Sequence, residues 1–139
     1  MKYLGLDLGT RTLGISISDL THTISSTYGT IRYEEGDYDY LISELRRIVE
    51  REGICKIVLG LPKNMNNTLG ESAVRCIDFG KMIENELNVM VVMQDERLTT
   101  VEATNYMLEA NLSRKKRKVK IDSLAANIIL QSYLDRREK

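Results

Sequence analysis

Three carboxylates stand far apart in the sequence, each beside a segment expected to form regular structure: Asp7, Glu96 and Asp122. Asp7 interrupts the apolar run 3–8, and a carboxylate inside a buried strand is costly unless a cation or hydrogen-bond donors compensate it. Converging carboxylates repel, so one takes up a proton unless a cation lies between them. Mg²⁺ and Mn²⁺ prefer such oxygen ligands. The three residues therefore predict a divalent-metal site that cuts phosphodiester bonds.

Each carboxylate also has a purely structural interpretation. Asp7 could form an Asx turn before Gly9. Glu96 could form a surface ion pair with Arg97, and Asp122 could cap a helix. We favour a shared site because three elements that pack together would otherwise bring their carboxylates together by coincidence.

A run of positive charge lies shortly before Asp122. Its basic residues are Arg114, Lys115, Lys116, Arg117, Lys118 and Lys120. The formal net charge of the chain is +0, so the field of the whole molecule does not attract nucleic acid, but this segment could bind phosphates. We expect a mobile loop that becomes ordered on phosphate; the alternative is a loop that is merely solvated.

The cysteines and the histidine make other chemistries improbable. Cys55 and Cys76 have no CxxC spacing and no neighbouring His, so they predict neither a zinc site nor a disulfide framework. His22 is the only histidine, and its position near an expected strand favours a structural role. Catalysis must therefore rest on carboxylates.

The length and composition indicate one compact α/β domain. The chain has 139 residues and 42% hydrophobic residues, which suits a single domain spanning residues 1–139. Its longest apolar runs are about six residues, whereas a bilayer-spanning helix needs roughly 20. We expect the N-terminal residues to form a strand rather than a signal peptide. We expect a soluble, cytoplasmic protein without membrane contact.

The first part of the chain predicts a three-strand antiparallel meander. Residues 2–8 form an apolar strand and residues 9–12 a turn. Residues 13–18 alternate apolar with small or polar side chains, as a second strand does. Residues 22–32, rich in Thr, Ile and Tyr, predict the third.

A helix and a buried strand should follow the meander. Apolar residues recur at helical spacing from Leu41 to Val49, with Asp37 or Asp39 as N-cap and Gly53 as terminator. The apolar run 56–61 then predicts a central strand, parallel to its neighbour.

The remaining segments predict two more helices around a last strand, and then a final helix. After the polar loop 63–70, a helix carries a stripe made by Ala73, Ile77, Gly80, Ile83 and Leu87. Residues 89–93 form a strand that delivers Asp95 and Glu96 at its C-terminal end. A capping box at Thr99 starts a helix to about Ala110, and Asp122 opens the last helix.

These elements make an α/β fold with a mixed five-stranded sheet, in which the antiparallel meander is joined by two parallel strands. Helices should lie on both faces. Ligands in open α/β sheets gather at the carboxyl ends of strands, where Asp7 and Glu96 are expected.

Four groups of residues resemble one known family. They are Gly5–Thr10 with Leu13-Gly14 and Ser18-Asp19, Gly60–Met65, Asp95–Thr100, and Ile121–Ala126 with Ile129–Asp135. The run Asp95–Thr100 is highly specific. The chain resembles the YqgF/RuvX family, described as pre-ribosomal-RNA nucleases and as Holliday-junction-resolvase-like proteins, and the resemblance implies an RNase H-like fold of three layers.

The resemblance implies Asp7, Glu96 and Asp122 as ligands of Mg²⁺ or Mn²⁺, with the basic run on the substrate side. Many members have a basic residue where this chain has Thr12, and Arg11 is the candidate substitute. Many also have Gly at the position of Asn67, where Asn can adopt the left-handed conformation.

The leading hypothesis is a metal-dependent nuclease that processes the 5′ end of precursor 16S ribosomal RNA. Thr10, Arg11 and the turn amides would orient the phosphate. Arg97 would neutralise charge, or instead form an ion pair with Glu102 or Asp95. We expect nucleic acid as partner, with structured RNA favoured and branched DNA as the alternative, and a monomer or weak homodimer.

Three alternatives remain. A Holliday junction resolvase would use the same carboxylates on branched DNA. The opening hairpin also looks like the phosphate-binding hairpin of the sugar-kinase, actin and chaperone ATPase superfamily, although 139 residues provide no second domain to close over ATP. A non-catalytic nucleic-acid-binding regulatory module would keep the fold without the activity.

Overall fold

The computed structural model describes residues 1–62, 70–95 and 114–137, and within the last range the side chains of residues 124–136. Its strands are β1 (Lys2–Leu8), β2 (Thr12–Ser18), β3 (Ser25–Arg32), β4 (Ile54–Leu61) and β5 (Met90–Asp95). Its helices are α1 (Tyr38–Glu52), α2 (Glu71–Leu87) and α3 (Arg114–Arg137). None of these helices combines the length and the apolar composition needed to cross a bilayer.

The strands form one five-stranded sheet in the order β3-β2-β1-β4-β5. β2 is antiparallel to both β1 and β3, whereas β4 is parallel to both β1 and β5. This confirms the predicted mixed sheet of an antiparallel meander and two parallel strands. β4 is an interior strand, but the middle of the sheet belongs to β1 and not, as predicted, to the run 56–61.

Alternate residues of β1 face two different layers. Leu4 and Leu6 belong to a large core that includes Leu45 of α1 and Phe79 of α2. Tyr3 belongs to a second core, which also contains Val58, Ile129, Leu130 and Leu134. Helices therefore cover both faces, as predicted. Burial on both sides explains why β1 reads as a continuous apolar run.

α1 begins and ends at predicted residues. The Asp37 carboxylate caps it by accepting a hydrogen bond from the Tyr40 N–H. Gly53 ends it with a φ of 69°, and its N–H donates to the Val49 carbonyl. Glycine adopts this left-handed conformation without steric cost, so the helix stops where the sequence indicates.

β3 is shorter than predicted, because the residues before it form a turn. The strand begins at Ser25 rather than at residue 22. The Asp19 carboxylate accepts hydrogen bonds from the Thr23 N–H at 2.9 Å and from the Thr21 hydroxyl at 2.9 Å. His22 has a φ of 59° within this turn. Side-chain bonding to the local backbone thus competes with strand pairing.

The basic segment is helical, which corrects the predicted mobile loop. α3 begins at Arg114, so residues 114–120 form about its first two turns. Asp122 therefore lies inside the helix and does not open or cap it. Lys and Arg are good helix formers, and repulsion between like charges costs only about 0.2–0.5 kcal/mol per pair. The apolar positions that follow anchor the helix on the sheet.

Two predicted elements lie outside the described residues. They are the helix from Thr99 to about Ala110 and nearly all of the polar loop 63–70.

Candidate active site

Asp7 lies on the sheet face that α3 covers. Leu4 and Leu6 point to α1 and α2, so the alternation of a strand puts Asp7 on the opposite face, together with Tyr3 and Gly5. A Cβ on Gly5 would lie 2.6 Å from the Leu130 Cβ of α3. Asp7 is partly buried there.

Asp7 is flanked in the sheet by residues without side chains. It pairs with Gly14 of β2. Leu6 pairs with Leu59, so the next position of β4 beside Asp7 is Gly60, and Gly60 pairs with Gln94 of β5. We call the residues Gly14, Asp7, Gly60 and Gln94 the Asp7 row. Neither of its two glycines places a side chain beside the carboxylate.

From its C-terminal end back to its start, α3 runs along β1 from Tyr3 towards Asp7. The ring of Tyr3 lies 6.2 Å from that of Tyr133, centroid to centroid. Gly5 contacts Leu130 and Ala126. Two further strand residues advance about 6.8 Å, and four helix residues advance about 6 Å.

Gly5 lies beside Ala126, so two residues further along β1 and four residues back along α3, Asp7 lies beside helix position 122. Asp122 lies one turn before Ala126, and helical spacing puts these two positions on one side of α3. The predicted convergence of Asp7 and Asp122 is thus consistent with the two backbones. The structure describes the backbone of Asp122 but not its side chain.

Hydrogen bonds fix α3 on the sheet. The Ser16 hydroxyl donates to the Ala126 carbonyl at 2.7 Å, and both residues are buried. The Ser25 hydroxyl donates to the Asn127 carbonyl at 2.8 Å, and the Ser25 N–H donates to Gln131 Oε1 at 2.9 Å. These contacts set the position of the helix along β2 and β3.

Asp95 lies on the opposite face of the sheet from Asp7. Val91 and Met93 of β5 lie against Gly80 of α2, so alternation puts Gln94 on the α3 face and Asp95 on the α2 face. Asp95 pairs with Leu61, which belongs to the α1 and α2 core. Asp95 is therefore no candidate ligand for a metal held by Asp7.

Glu96 and Arg97 follow Asp95 and lie outside the described residues. No cluster of three His, Cys, Asp or Glu side chains that could hold a metal occurs in the part of the chain that the structure describes. That finding does not bear on the predicted triad, because only one of its three side chains, that of Asp7, is described.

The β1–β2 turn is held by Tyr33, a residue that the sequence analysis missed. Its N–H donates to the Arg11 carbonyl at 3.0 Å, and its hydroxyl donates to the Gly9 carbonyl. Burial raises the pKa of Tyr33 to about 12. Thr10 and Arg11 are exposed on the turn, so both predicted phosphate contacts are accessible. In the sequence, the only sign of this role of Tyr33 is that an aromatic residue follows β3.

The predicted basic contacts lie on the first turns of α3, before Asp122. Helical spacing puts position 118 on the same side of the helix as position 122. Position 115, two turns before 122, lies on that side as well, whereas positions 116 and 117 lie on other sides of the axis. The basic residues Arg114, Lys115, Lys116, Arg117 and Lys118 therefore surround the helix start rather than forming one stripe.

Asp19 and His22 have structural roles. Hydrogen bonds, first from the Thr23 N–H and then from the Thr21 hydroxyl, lower the pKa of Asp19. The ring of His22 stacks on Tyr3 at a centroid distance of 4.0 Å, and its Nε2 contacts the Met1 carbonyl. This agrees with the structural role expected for His22.

The sheet order and the helices on both faces define the class of fold. The chain is similar to Thermus thermophilus RuvC in complex with a Holliday junction substrate, with a TM-score of 0.66, 14% identity, and coverage of 99% of this chain and 96% of that chain. It is also similar to the fowlpox virus Holliday junction resolvase, with a TM-score of 0.57, 14% identity, and coverage of 98% and 99%. The chain has the RNase H-like α/β fold of these resolvases, as predicted.

The sequence then defines the family. Residues 1–136 match the family described as "RuvX: Holliday junction resolvase". A Bacillus pumilus protein is 48% identical over 135 residues, covering 97% of this chain and 98% of the relative. A Shouchella clausii protein is 44% identical over 136 residues, covering 98% and 96%. Both are named "Putative pre-16S rRNA nuclease". The chain belongs to the RuvX family, a family of nucleases.

Proposed function

We propose that this protein is a metal-dependent nuclease that hydrolyses phosphodiester bonds at the 5′ end of precursor 16S ribosomal RNA. The observation that carries the proposal is the position of Asp7, between Gly14 and Gly60 on the face covered by the helix that contains Asp122. The substrate is the one named for the relatives. Because ribosomes assemble in the cytoplasm, we expect the protein to act there.

The chemistry of the donor set fits a hard divalent cation. Asp7, Glu96 and Asp122 would offer only carboxylate oxygens, which Mg²⁺ and Mn²⁺ prefer. A cation there would offset the repulsion between the carboxylates. When bound, it would supply an activated water and stabilise the leaving oxygen. The absence of side chains at Gly14 and Gly60 would leave room for it beside Asp7.

The β1–β2 turn would orient the phosphate. Thr10 can donate its hydroxyl and Arg11 its guanidinium, and both residues are exposed. Tyr33 holds the Gly9 and Arg11 carbonyls, so the turn would keep its shape when substrate arrives. We assign Arg97 to neutralising charge near Glu96.

The start of α3 would bind the RNA backbone. The N-terminus of a helix carries a partial positive charge, and basic side chains there are mildly unfavourable. A phosphate at the helix start would relieve this repulsion and accept hydrogen bonds from backbone N–H groups. The residues assigned to this contact are Arg114, Lys115, Lys116, Arg117 and Lys118.

Cleavage of a matched panel of structured RNA and DNA by the purified protein tests the proposal. We expect cleavage of an RNA that carries the 5′ end of precursor 16S RNA with Mg²⁺ or Mn²⁺. Ca²⁺ should support little cleavage, because its longer bonds misplace the attacking water. No cleavage of any substrate with any cation would favour the non-catalytic regulatory module.

Resolution of a four-way DNA junction is the second candidate, because the family description names a resolvase. Symmetric resolution needs two active sites related by a two-fold axis, and hence a stable dimer. We expect a monomer or weak dimer that cuts structured RNA more readily. Sedimentation at micromolar concentration decides the question: a tight dimer that makes paired symmetric cuts in the junction would favour the resolvase.

A further inference from the structure

Gln94 is a buried amide with an unpaired donor. The residue is 5% exposed, and its Nε2 has no hydrogen-bond partner in the described part of the chain. An unpaired buried donor destabilises a fold, whereas an apolar side chain of the same shape would not. The amide therefore calls for an acceptor other than those in the described part of the chain.

The other glutamine described on this side of the sheet shows the contrast. Gln131 of α3 accepts a hydrogen bond from the Ser25 N–H at 2.9 Å through Oε1. Its Nε2 donates to the Thr23 carbonyl at 2.9 Å. Gln131 thus joins α3 to β3, as a structural amide does, whereas the Gln94 Nε2 joins nothing in the described structure.

The Asp7 row contains a candidate acceptor, the Asp7 carboxylate. Gln94 and Asp7 lie on the same sheet face, separated by Gly60, which has no side chain to intervene. Two strand spacings separate their backbones by about 10 Å. The long Gln94 side chain can lean over the intervening glycine towards the shorter Asp7 carboxylate and so span most of this gap.

We propose that Gln94 is a positioning residue of the metal site, and that its Nε2 donates a hydrogen bond to a ligand carboxylate, with Asp7 the nearest in register. This rests on the proposed function. A carboxylate has about four acceptor positions, and a cation occupies only some of them. Hydrogen bonds to the others fix the orientation of the ligand. The burial of Gln94 suits a partner inside the site better than a group arriving from solvent.

Titration of the purified protein with Mn²⁺, without nucleic acid, tests the role of Gln94. Methionine has nearly the same shape as glutamine, so Gln94→Met removes the donor and leaves the packing. We expect the Kd for Mn²⁺ to rise about 10- to 100-fold. The metal-free melting temperature should stay unchanged or rise, because no buried donor remains unpaired. Gln94→Leu should behave in the same way.

Gln131→Met is the matched control. It should lower the melting temperature, because it removes the four hydrogen bonds that the Gln131 side chain makes with Ser25, Thr23 and Asp135, and leave the Mn²⁺ affinity unchanged. The opposite responses of the two substitutions separate positioning of the metal site from support of the fold.

Three outcomes would overturn the role of Gln94. One is an unchanged Mn²⁺ affinity in both Gln94 variants. Another is a lower metal-free melting temperature in both, which would make the amide a structural contact. The third is weaker RNA binding in EDTA with unchanged Mn²⁺ affinity, which would assign the donor to a substrate phosphate. If wild type itself does not bind Mn²⁺, the proposed function fails instead.

Discussion

Asp7 is the residue whose role can be tested with least disturbance to the fold. Asp7→Asn keeps the shape but removes the charge, so we expect cleavage to fall about a hundredfold or more while nucleic-acid binding and folding persist. Cleavage rates, circular dichroism and RNA binding measure the three properties. Wild-type cleavage by the purified variant would contradict the assignment.

Asp19→Asn is the control for Asp7→Asn, because the Asp19 carboxylate holds the turn before β3. It should leave the cleavage rate unchanged and lower the melting temperature slightly. Equal loss of cleavage in both variants would indicate a general effect of removing charge.

Tyr33 predicts how stability depends on alkaline pH. Burial raises its pKa from 10.0 to about 12, so the folded chain holds the phenol proton more tightly than the unfolded chain. The resulting stabilisation is complete below the unfolded pKa and is lost as pH rises through the folded pKa. The melting temperature of wild type should therefore fall between about pH 10 and 12 more steeply than that of Tyr33→Phe. Parallel curves would show that Tyr33 does not contribute.

At the scale of elements, the contact between β1 and α3 is the main constraint on the site. A Cβ on Gly5 would lie 2.3 Å from the Ser16 Oγ and 2.9 Å from the Ala126 carbonyl oxygen. Gly5→Ala should therefore displace α3, destabilise the fold by about 1–3 kcal/mol and reduce cleavage. Chemical denaturation and cleavage assays measure both effects.

Gly29→Ala is the matched control, because a Cβ on Gly29 of β3 would meet nothing within 4 Å. It should change neither stability nor cleavage appreciably. If Gly5→Ala also left stability and cleavage unchanged, this would contradict the close packing of α3 on β1.

Local patterns predicted much of the fold. The caps of α1 and the apolar run of β1 act within a few residues, so the sequence displays them directly. The sequence analysis placed the start of α3 too late because it took the run of positive charges as a sign of a loop, although Lys and Arg favour helices. The helix is also stabilised by contacts with β1 and β2, which are distant in the sequence.

For the candidate site, the sequence indicates residue types more than geometry. It offers Asp7 and the Thr10–Arg11 turn as candidates, whereas the contacts of Tyr33 and the proposed role of Gln94 depend on partners far away in sequence. Asp95 and Glu96 were expected together at the end of a strand. Strand alternation, which puts Asp95 on the α2 face, depends on where β5 begins.

The helical start of α3 changes the expected response to nucleic acid. Substituting Lys115, Lys116 and Arg117 with Gln should flatten the slope of log K against log salt by roughly two to three units, since each phosphate contact contributes about −0.7 to −0.9. Because the segment is already helical, circular dichroism should show little gain of helix on binding. An unchanged slope would make this segment a solvated surface.

At the scale of the whole molecule, the two cores bury the apolar sides of the described helices on the two faces of one sheet. The formal net charge is +0, so recognition of RNA would depend on where charge lies rather than on its sum. Basic residues at the start of α3 lie close in sequence to Asp122, which would put the attraction for phosphate next to the proposed metal ligands.

The most direct test of that account is the melting temperature with and without Mn²⁺, for wild type and for a triple variant with Asp7→Asn, Glu96→Gln and Asp122→Asn. A cation held by the three carboxylates stabilises the folded chain by mass action and offsets their repulsion. Mn²⁺ should therefore raise the melting temperature of wild type and leave that of the triple variant unchanged. Equal shifts in both proteins would contradict a metal site built from these carboxylates.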